Sequence, residues 1–293
     1  MRVPELPEVE VTRRSIAPLL VGRRIAKVFT TRPSYFFLTP PARLERELPG
    51  RTVLALERRG KYLLGELDDG RRLLLHLGMS GQLFAESASS VRLLSAARRA
   101  SLSPEAQRAF APDRHTHLRI EFEDGGPRLF FRDVRKFGKV RLLAAGESDA
   151  RLDRLGVDAL AATGAELFAA TRRRKVAIKS VLLAQAVIAG IGNIYADEGL
   201  FLAGIRPRRA AGRLSRTECR ELVSAVRKVL LRSIETGGSS ISDYVLPDGS
   251  DGAYQDERRI YAREGEPCFV CGTSIRRTVI GARGTHFCPV CQR

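Results

Sequence analysis

Two adjacent residues near the amino terminus could do covalent chemistry together: Pro4 and Glu5, in the run Pro4-Glu5-Leu6-Pro7-Glu8-Val9-Glu10. A chain-terminal proline offers a secondary amine. An α-amino group titrates near ~8 against ~10.4 for lysine, so roughly a hundredfold more of it is neutral at pH 7. Only the neutral amine attacks. Its condensation with an aldehyde-level carbon gives an iminium that is cationic without any added proton, an electron sink that eases elimination at the neighbouring carbon. Glu5 could serve as general acid and base. The same string also suits a plain helix start, where prolines and acids are common in the first turn.

Four of the five cysteines form a second constellation. Cys268, Cys271, Cys288 and Cys291 make two C-x2-C pairs separated by sixteen residues. Each pair can turn two thiolates toward one tetrahedral ion, and a finger of about thirty residues is too small to fold without such a staple. The spacing predicts one structural zinc ion per chain, since four thiolates leave no position for a water. Two disulfides are the alternative, disfavoured where no export signal is present. Cys219, alone in a helical pattern, reads as a small buried apolar residue.

Further residues carry weaker signals. Gly190 and Gly192, in Gly190-Ile191-Gly192-Asn193-Ile194-Tyr195-Ala196-Asp197-Glu198, allow a tight turn in which backbone N–H groups approach a phosphate. A plain helix-helix turn fits as well. Arg172-Arg173-Arg174-Lys175 and Lys179 could be a solvated basic face. Lys61 reads as a strand lysine in Arg59-Gly60-Lys61-Tyr62-Leu63, and core packing is the default for Met79 and Phe137.

Composition points to the partner. The net charge is +17 with a pI of about 10.5, and of the 50 basic residues seven are lysine and 43 arginine. Arginine suits planar contacts to phosphate and base edges, so a polyanion is expected, with structural RNA or acidic membrane binding as the other options. No apolar run approaches the ~20 residues of a membrane span. The chain is expected to be soluble, cytoplasmic and monomeric.

The elements that must position these residues divide by pattern. A helix is predicted over Pro7 to Leu20, with Gly22 as its stop. Thr52 to Leu67 reads as a strand that turns at Asp68-Asp69-Gly70 into Arg71 to Leu77, and Leu118 to Phe122 turns at Asp124-Gly125-Gly126 into Arg128 to Phe131. Ser87 to Pro112 reads as a long loop with room for a short helix. After about Asp153 the period becomes helical, with capping boxes at Thr163-x-x-Glu166 and Ser215-x-x-Glu218 and a helix end at Gly237-Gly238. The layout is α+β and multidomain: a β-rich domain over 1–150, a helical domain over 151–260 and a zinc β-hairpin over 261–293.

The amino-terminal run resembles the signature of formamidopyrimidine-DNA glycosylases, Met-Pro-Glu-Leu-Pro-Glu-Val-Glu. The segments around Lys61, His76-Leu77-Gly78-Met79-Ser80-Gly81, Asp133-Val134-Arg135-Lys136-Phe137-Gly138, Gly190 to Glu198 and Arg283-Gly284-Thr285-His286-Phe287-Cys288 extend the likeness over nearly the whole chain. The resemblance implies an amino-terminal β-sandwich with a flanking helix, a helix-two-turn-helix domain and a zinc finger. It implies a bifunctional DNA glycosylase and abasic-site lyase of base excision repair, acting in the bacterial cytoplasm on nucleoid duplex DNA that carries 8-oxoguanine or ring-opened purines. Pro4 would attack the first sugar carbon with Glu5 assisting ring opening, and Glu8 would help position them. Met79, Arg135 and Phe137 would fill the gap left by the extruded nucleotide, with Arg135 facing the orphaned cytosine. Lys61, His76, Asn193, Tyr261 and the finger-tip Arg283 would grip phosphates, with Lys179 and the basic run lining the groove. No redox cofactor or catalytic metal is implied. Two alternatives stand: the endonuclease VIII branch, which takes oxidised pyrimidines but typically has glycine where this chain has Leu6, and a catalytically silent DNA-binding homologue.

One departure from the family pattern concerns the nucleophile. Met1-Arg2-Val3 precede Pro4, so as written its nitrogen is an amide and cannot attack. A valine GTG codon is also a bacterial start codon, and the arginine bias suits a GC-rich genome. The native product is therefore expected to begin at position 3 as methionine, to lose it and to expose Pro4.

Overall fold

The computed structural model describes residues 4–86, 88, 112–240 and 244–293, and the chain divides into two compact units. The first comprises 1–149 with 237–253, the second 150–236 with 254–293. Most of the expected loop from Ser87 to Pro112 lies outside the described residues.

The first unit is a β-sandwich. One antiparallel sheet has the order β1-β6-β7-β5, from Ile25–Thr30 (β1), Gly81–Ala85 (β5), Thr116–Phe122 (β6) and Leu129–Asp133 (β7). The other runs β2-β3-β4-β8, from Val53–Arg59 (β2), Tyr62–Leu67 (β3), Arg72–His76 (β4) and Lys139–Leu143 (β8). Inward side chains of both sheets, among them Val28, Leu63, Leu75, Leu118, Phe131 and Val140, share one buried core with Val9, Ile16 and Leu20 of the helix Leu6–Leu20 (α1). A short helix, Pro41–Glu47 (α2), adds Leu44. The run expected as a single strand from Thr52 to Leu67 is two strands. Gly60, at φ 59°, opens a two-residue turn that reverses the chain, so Lys61 sits at a hairpin tip and not on a strand. The apolar alternation continues on both sides of that turn, which hid it; a glycine in the first of two turn positions is the local signal.

The second unit is helical. Ala150–Asp153 (α3) and Gly164–Thr171 (α4) lead to Ile178–Leu183 (α5), Asn193–Leu202 (α6), the twenty-residue Arg216–Glu235 (α7) and Tyr254–Glu257 (α8). Both expected capping boxes form: Thr163 Oγ1 accepts Glu166 N at 3.3 Å, and Ser215 Oγ accepts Glu218 N at 3.2 Å. Gly237, at φ 80°, follows the end of α7. Between α5 and α6 the Gln185 side chain wires the double turn, accepting Gly190 N at 2.9 Å and donating to Ile191 O at 2.9 Å. Two-residue strands Val157–Asp158 (β9) and Ile188–Ala189 (β10) pair in parallel across it. Arg276–Ile280 (β11) and Arg283–Phe287 (β12) form an antiparallel hairpin, whose base joins Phe201 and Ile260 in a small core with Ile275, Cys268 and Cys288. Cys219 lies fully buried in α7, where burial pushes its thiol up and leaves it an inert apolar filler.

Candidate active site and nucleic-acid interface

Glu5 is the N-cap of α1, so Pro4 stands at the mouth of a fifteen-residue helix with two acids in its first turn and cap. Glu8, at the third helical position, completes a capping box: its Oε2 accepts Glu5 N at 2.8 Å. The other oxygen of Glu8 accepts Ser239 N at 2.9 Å, and its backbone carbonyl takes the Thr12 hydroxyl at 2.8 Å and the Tyr244 hydroxyl at 3.3 Å. Burial, with the Glu8 charge second, pushes the Tyr244 hydroxyl up, so it remains a donor. Pro4, Glu5 and Glu8 are all buried. Glu8 therefore fixes where the Pro4-Glu5 pair sits, and its partners Ser239 and Tyr244 belong to this same unit. Further along α1, Glu10 is tied to β2 by Arg58 at 2.9 Å and is paired within the helix with Arg13 and Arg14 at 2.8 Å each. Burial alone would raise its carboxyl; the three guanidinium hydrogen bonds win and hold it down at about 2.

Register brings three further residues together. Tyr62, next to Lys61, pairs with His76 across β3 and β4, and their rings lie 4.6 Å apart. His76 Nδ1 accepts Gly78 N at 3.2 Å, turning the chain toward Met79. Lys61, His76 and Met79 are each half-buried.

The second candidate loop follows β7. Arg135 and Phe137 are exposed, with the Arg135 guanidinium 4.8 Å from the centroid of the Phe137 ring, a cation–π pair that presents both side chains as one plate. Tyr35 escaped the sequence reading. It is 58% exposed, its ring lies 6.3 Å from that of Phe137, and its hydroxyl donates to Arg135 O at 2.7 Å. The available signal was an aromatic residue two positions after Pro33, in a loop that also carries Arg32.

In the second unit, one expectation is corrected. Lys179 does not line a groove: it is fully buried, paired with Asp197 Oδ1 at 2.6 Å, and donates to Thr285 Oγ1 at 2.8 Å and Gly284 O at 3.1 Å. A buried ammonium is tolerable only with such partners, and here they join α5 and α6 to β12. The other oxygen of Asp197 accepts His286 N at 2.9 Å. The basic run itself is exposed at Arg173, Arg174 and Lys175, while Arg172 stacks 3.8 Å over the Phe168 ring and caps Leu214 O at 2.6 Å.

Asn193 begins α6 and donates through Nδ2 to Gly284 O at 3.0 Å, while its buried Oδ1 has no hydrogen-bond partner among the described residues. Arg283 is exposed at the start of β12, after a turn in which Gly281 and Ala282 have φ of 55° and 59°. Tyr261 is buried, edge-on to His286 at 5.1 Å, and its N–H donates to Glu198 Oε1 at 2.8 Å. Glu198 also accepts from Arg259 N and Ile260 N at 3.0 Å each. Burial pushes its carboxyl up and the three N–H donors pull the other way.

The four cysteine sulfurs lie within 4.8 Å of one another, with Cys268–Cys291 at 3.9 Å and Cys271–Cys288 at 3.5 Å. Those spacings exclude disulfides, whose sulfurs sit ~2.05 Å apart. They fit a tetrahedral ion, for which ~2.3 Å metal–sulfur bonds place ligands about 3.8 Å apart. Val270 N and Cys291 N each point at a cysteine sulfur, at 3.5 and 3.4 Å, as backbone donors to thiolates do. One structural zinc ion fits these residues.

A sandwich, a helix-two-turn-helix unit and a zinc hairpin follow one another along the chain. Three family models match: the formamidopyrimidine-DNA glycosylase N-terminal domain over residues 3–140, the formamidopyrimidine-DNA glycosylase H2TH domain over 155–245, and the zinc finger found in FPG and IleRS over 265–293. The formamidopyrimidine-DNA glycosylase of Cereibacter sphaeroides is 43% identical over 297 residues, and that of Burkholderia cenocepacia 44%, each match covering 99% of this chain and all of the relative. Among solved structures, the MutM (Fpg) protein of Thermus thermophilus matches with a TM-score of 0.81 at 37% identity, over 99% of this chain and 98% of that one. Lactococcus lactis Fpg bound to DNA containing an abasic site matches with a TM-score of 0.82 at 34% identity, over 99% of each chain. The chain belongs to the formamidopyrimidine-DNA glycosylase family. No helix among the described residues is long and apolar enough to cross a membrane.

Proposed function

We propose that this chain, a DNA glycosylase by family, excises oxidised purines, 8-oxoguanine and formamidopyrimidines, from duplex DNA and then cuts the strand at the resulting site. The observation that carries the reading is the Pro4-Glu5 pair at the capped start of α1, bracketed through Glu8 to Ser239 and Tyr244. Support also comes from the N-terminal family match, which begins at residue 3, and from a MutM structure in complex with carbocyclic 8-oxo-G containing DNA, 34% identical with a TM-score of 0.82.

The chemistry requires Pro4 as the first residue. Its amine attacks C1′ of the extruded nucleotide, the base leaves with the electron pair of the glycosidic bond, and Glu5 protonates the ring oxygen as the sugar opens to an iminium. Loss of a C2′ proton expels the 3′ phosphate, and loss of a C4′ proton then expels the 5′ phosphate. Met79, Arg135 and Phe137 fill the vacated stack, which offsets an unstacking cost of a few kcal/mol. Lys61, His76, Asn193, Tyr261 and Arg283 hold phosphates, and the chain works as a monomer in the cytoplasm.

Borohydride reduction in the presence of an 8-oxoguanine:cytosine duplex tests the reading. A chain beginning at Pro4 is expected to form a covalent DNA adduct, and Glu5→Gln to lower base excision by about 10²- to 10⁴-fold. Absence of any adduct with that chain, on this duplex and on abasic-site DNA alike, would leave a DNA-binding homologue without lyase chemistry.

A further inference from the structure

The two loops assigned to gap filling are far apart in sequence, yet one side chain holds both. β5 and β7 are antiparallel neighbours, and Gly81, the first residue of β5, pairs with Asp133, the last of β7. The Met79 loop therefore enters, and the Arg135-Phe137 loop leaves, at the same end of one strand pair. Asp133 has no exposed surface. Its Oδ1 accepts the Ser80 hydroxyl at 2.6 Å and Arg135 N at 3.2 Å, and its Oδ2 accepts Gly138 N at 2.6 Å. Ser80 Oγ in turn accepts Arg135 N at 3.2 Å. The carboxylate thus ties the residue after Met79 to the first and last positions of the segment that carries Arg135 and Phe137.

The backbones are equally close. A Cβ at Gly78, whose φ is 64°, would meet Gly138 N and Phe137 C at 2.4 Å, and one at Gly138 would meet Asp133 Oδ2 at 2.9 Å. Glycine is needed at both places for the loops to touch. Asp133 is itself fixed through its backbone: its N–H donates to His115 O at 2.8 Å, and its carbonyl faces His117 Nε2 at 3.0 Å.

We propose that Asp133 is a positioning residue that assembles Met79, Arg135 and Phe137 into one preformed wedge, so that reading of the orphaned base depends on a side chain that touches no DNA. The inference rests on the gap-filling reading above. Loops ordered only on binding would draw on binding free energy; loops ordered beforehand leave that energy for discriminating the opposite base. A carboxylate suits the task because both oxygens are acceptors. An amide of the same shape turns an NH2 against either Gly138 N–H or the Ser80 and Arg135 donors.

The test compares Asp133→Asn, Ser80→Ala and Arg135→Ala on 8-oxoguanine opposite cytosine, on 8-oxoguanine opposite adenine, and on a preformed abasic site. Asp133→Asn is expected to lower kcat/KM for excision opposite cytosine by about 10- to 100-fold and to shrink the cytosine-over-adenine ratio, leaving abasic-site cleavage within about threefold. Ser80→Ala, which buries no mismatched donor, is expected to show the same pattern to a smaller extent. If Arg135→Ala collapses the ratio while Asp133→Asn and Ser80→Ala leave it unchanged, the positioning role is wrong and gap filling stands. An unchanged ratio in Arg135→Ala refutes the gap-filling reading and this inference with it. Should Asp133→Asn lose all activities in step, Ser80→Ala decides: a smaller ratio with abasic-site cleavage retained supports the role, and an unchanged ratio overturns it.

Discussion

The two units hold their candidate DNA-facing residues by different means. In the sandwich unit, buried carboxylates gather backbone donors: Glu8 ties the Pro4-Glu5 cap to Ser239, and Asp133 ties two loops together. In the helical unit Glu198 likewise gathers the N–H groups of Arg259, Ile260 and Tyr261, but ionic fixing is added to it: four thiolates fit a metal ion, and the Lys179–Asp197 pair pins β12, with Asn193 also bonded to Gly284. Neutral-to-anionic chemistry on backbone amides gives a site that tolerates salt and chelator. A thiolate cluster and a buried ion pair give one that fails when either charge partner is removed.

Metal removal should separate the units most strongly. Metal analysis is expected to find one zinc per chain, and chelation or Cys288→Ser should remove the roughly 10 kcal/mol or more with which such an ion folds its hairpin. Duplex affinity then falls while the sandwich stays folded, as circular dichroism and limited proteolysis would register. Full affinity after verified zinc loss would break the contrast between the units.

Breaking the buried pair comes next. Lys179→Ala strands Asp197 without its partner and should cost about 3–5 kcal/mol in chemical unfolding, whereas Lys179→Met with Asp197→Asn should recover much of that. If Lys179→Ala instead left stability unchanged and weakened only salt-sensitive DNA binding, a groove-lining role would return.

That lysine also shows where sequence reading stops. Next to Arg172, Arg173, Arg174 and Lys175 it has the look of a solvated face, and its partners Gly284 and Thr285 lie 105 and 106 residues away. Local signals carried well: both capping boxes, the Asp124-Gly125-Gly126 hairpin, each C-x2-C pair and the amino-terminal motif are read within a few residues of chain. Long-range brackets did not carry. Nothing near Glu8 announces Ser239, 231 residues on, and the polar residues Asp133 and Ser80 gave no hint that they would be buried together. Tyr35 was missed for the same reason, since its partners Arg135 and Phe137 are a hundred residues distant.

Acid should touch the sandwich unit through Glu10. Its folded carboxyl sits at about 2 against an ordinary 4.5, so the stability it adds is complete above pH 4.5 and is lost as pH falls toward 2. Comparing thermal unfolding of the parent chain and Glu10→Gln, the gap should be on the order of 2–3 kcal/mol at pH 6 and close progressively below pH 4.5. A gap that widened in acid would contradict the pairing with Arg58, Arg13 and Arg14.

Smallest is the finger tip. Arg283→Ala should weaken damaged and undamaged duplex alike, and reduce the slope of log affinity against log salt by about one, because a phosphate contact carries no base information. Loss confined to damaged duplex would move Arg283 from phosphate grip to lesion recognition.

The central claim is that the Pro4 nitrogen is the attacking amine, and mapping the trapped adduct tests it most directly. An adduct formed by a chain beginning at Pro4 on abasic-site DNA, digested and sequenced by mass spectrometry, is predicted to carry the sugar remnant on the amino-terminal proline. A remnant on Lys61, or equal trapping by a chain verified to retain the residues before Pro4, would contradict it.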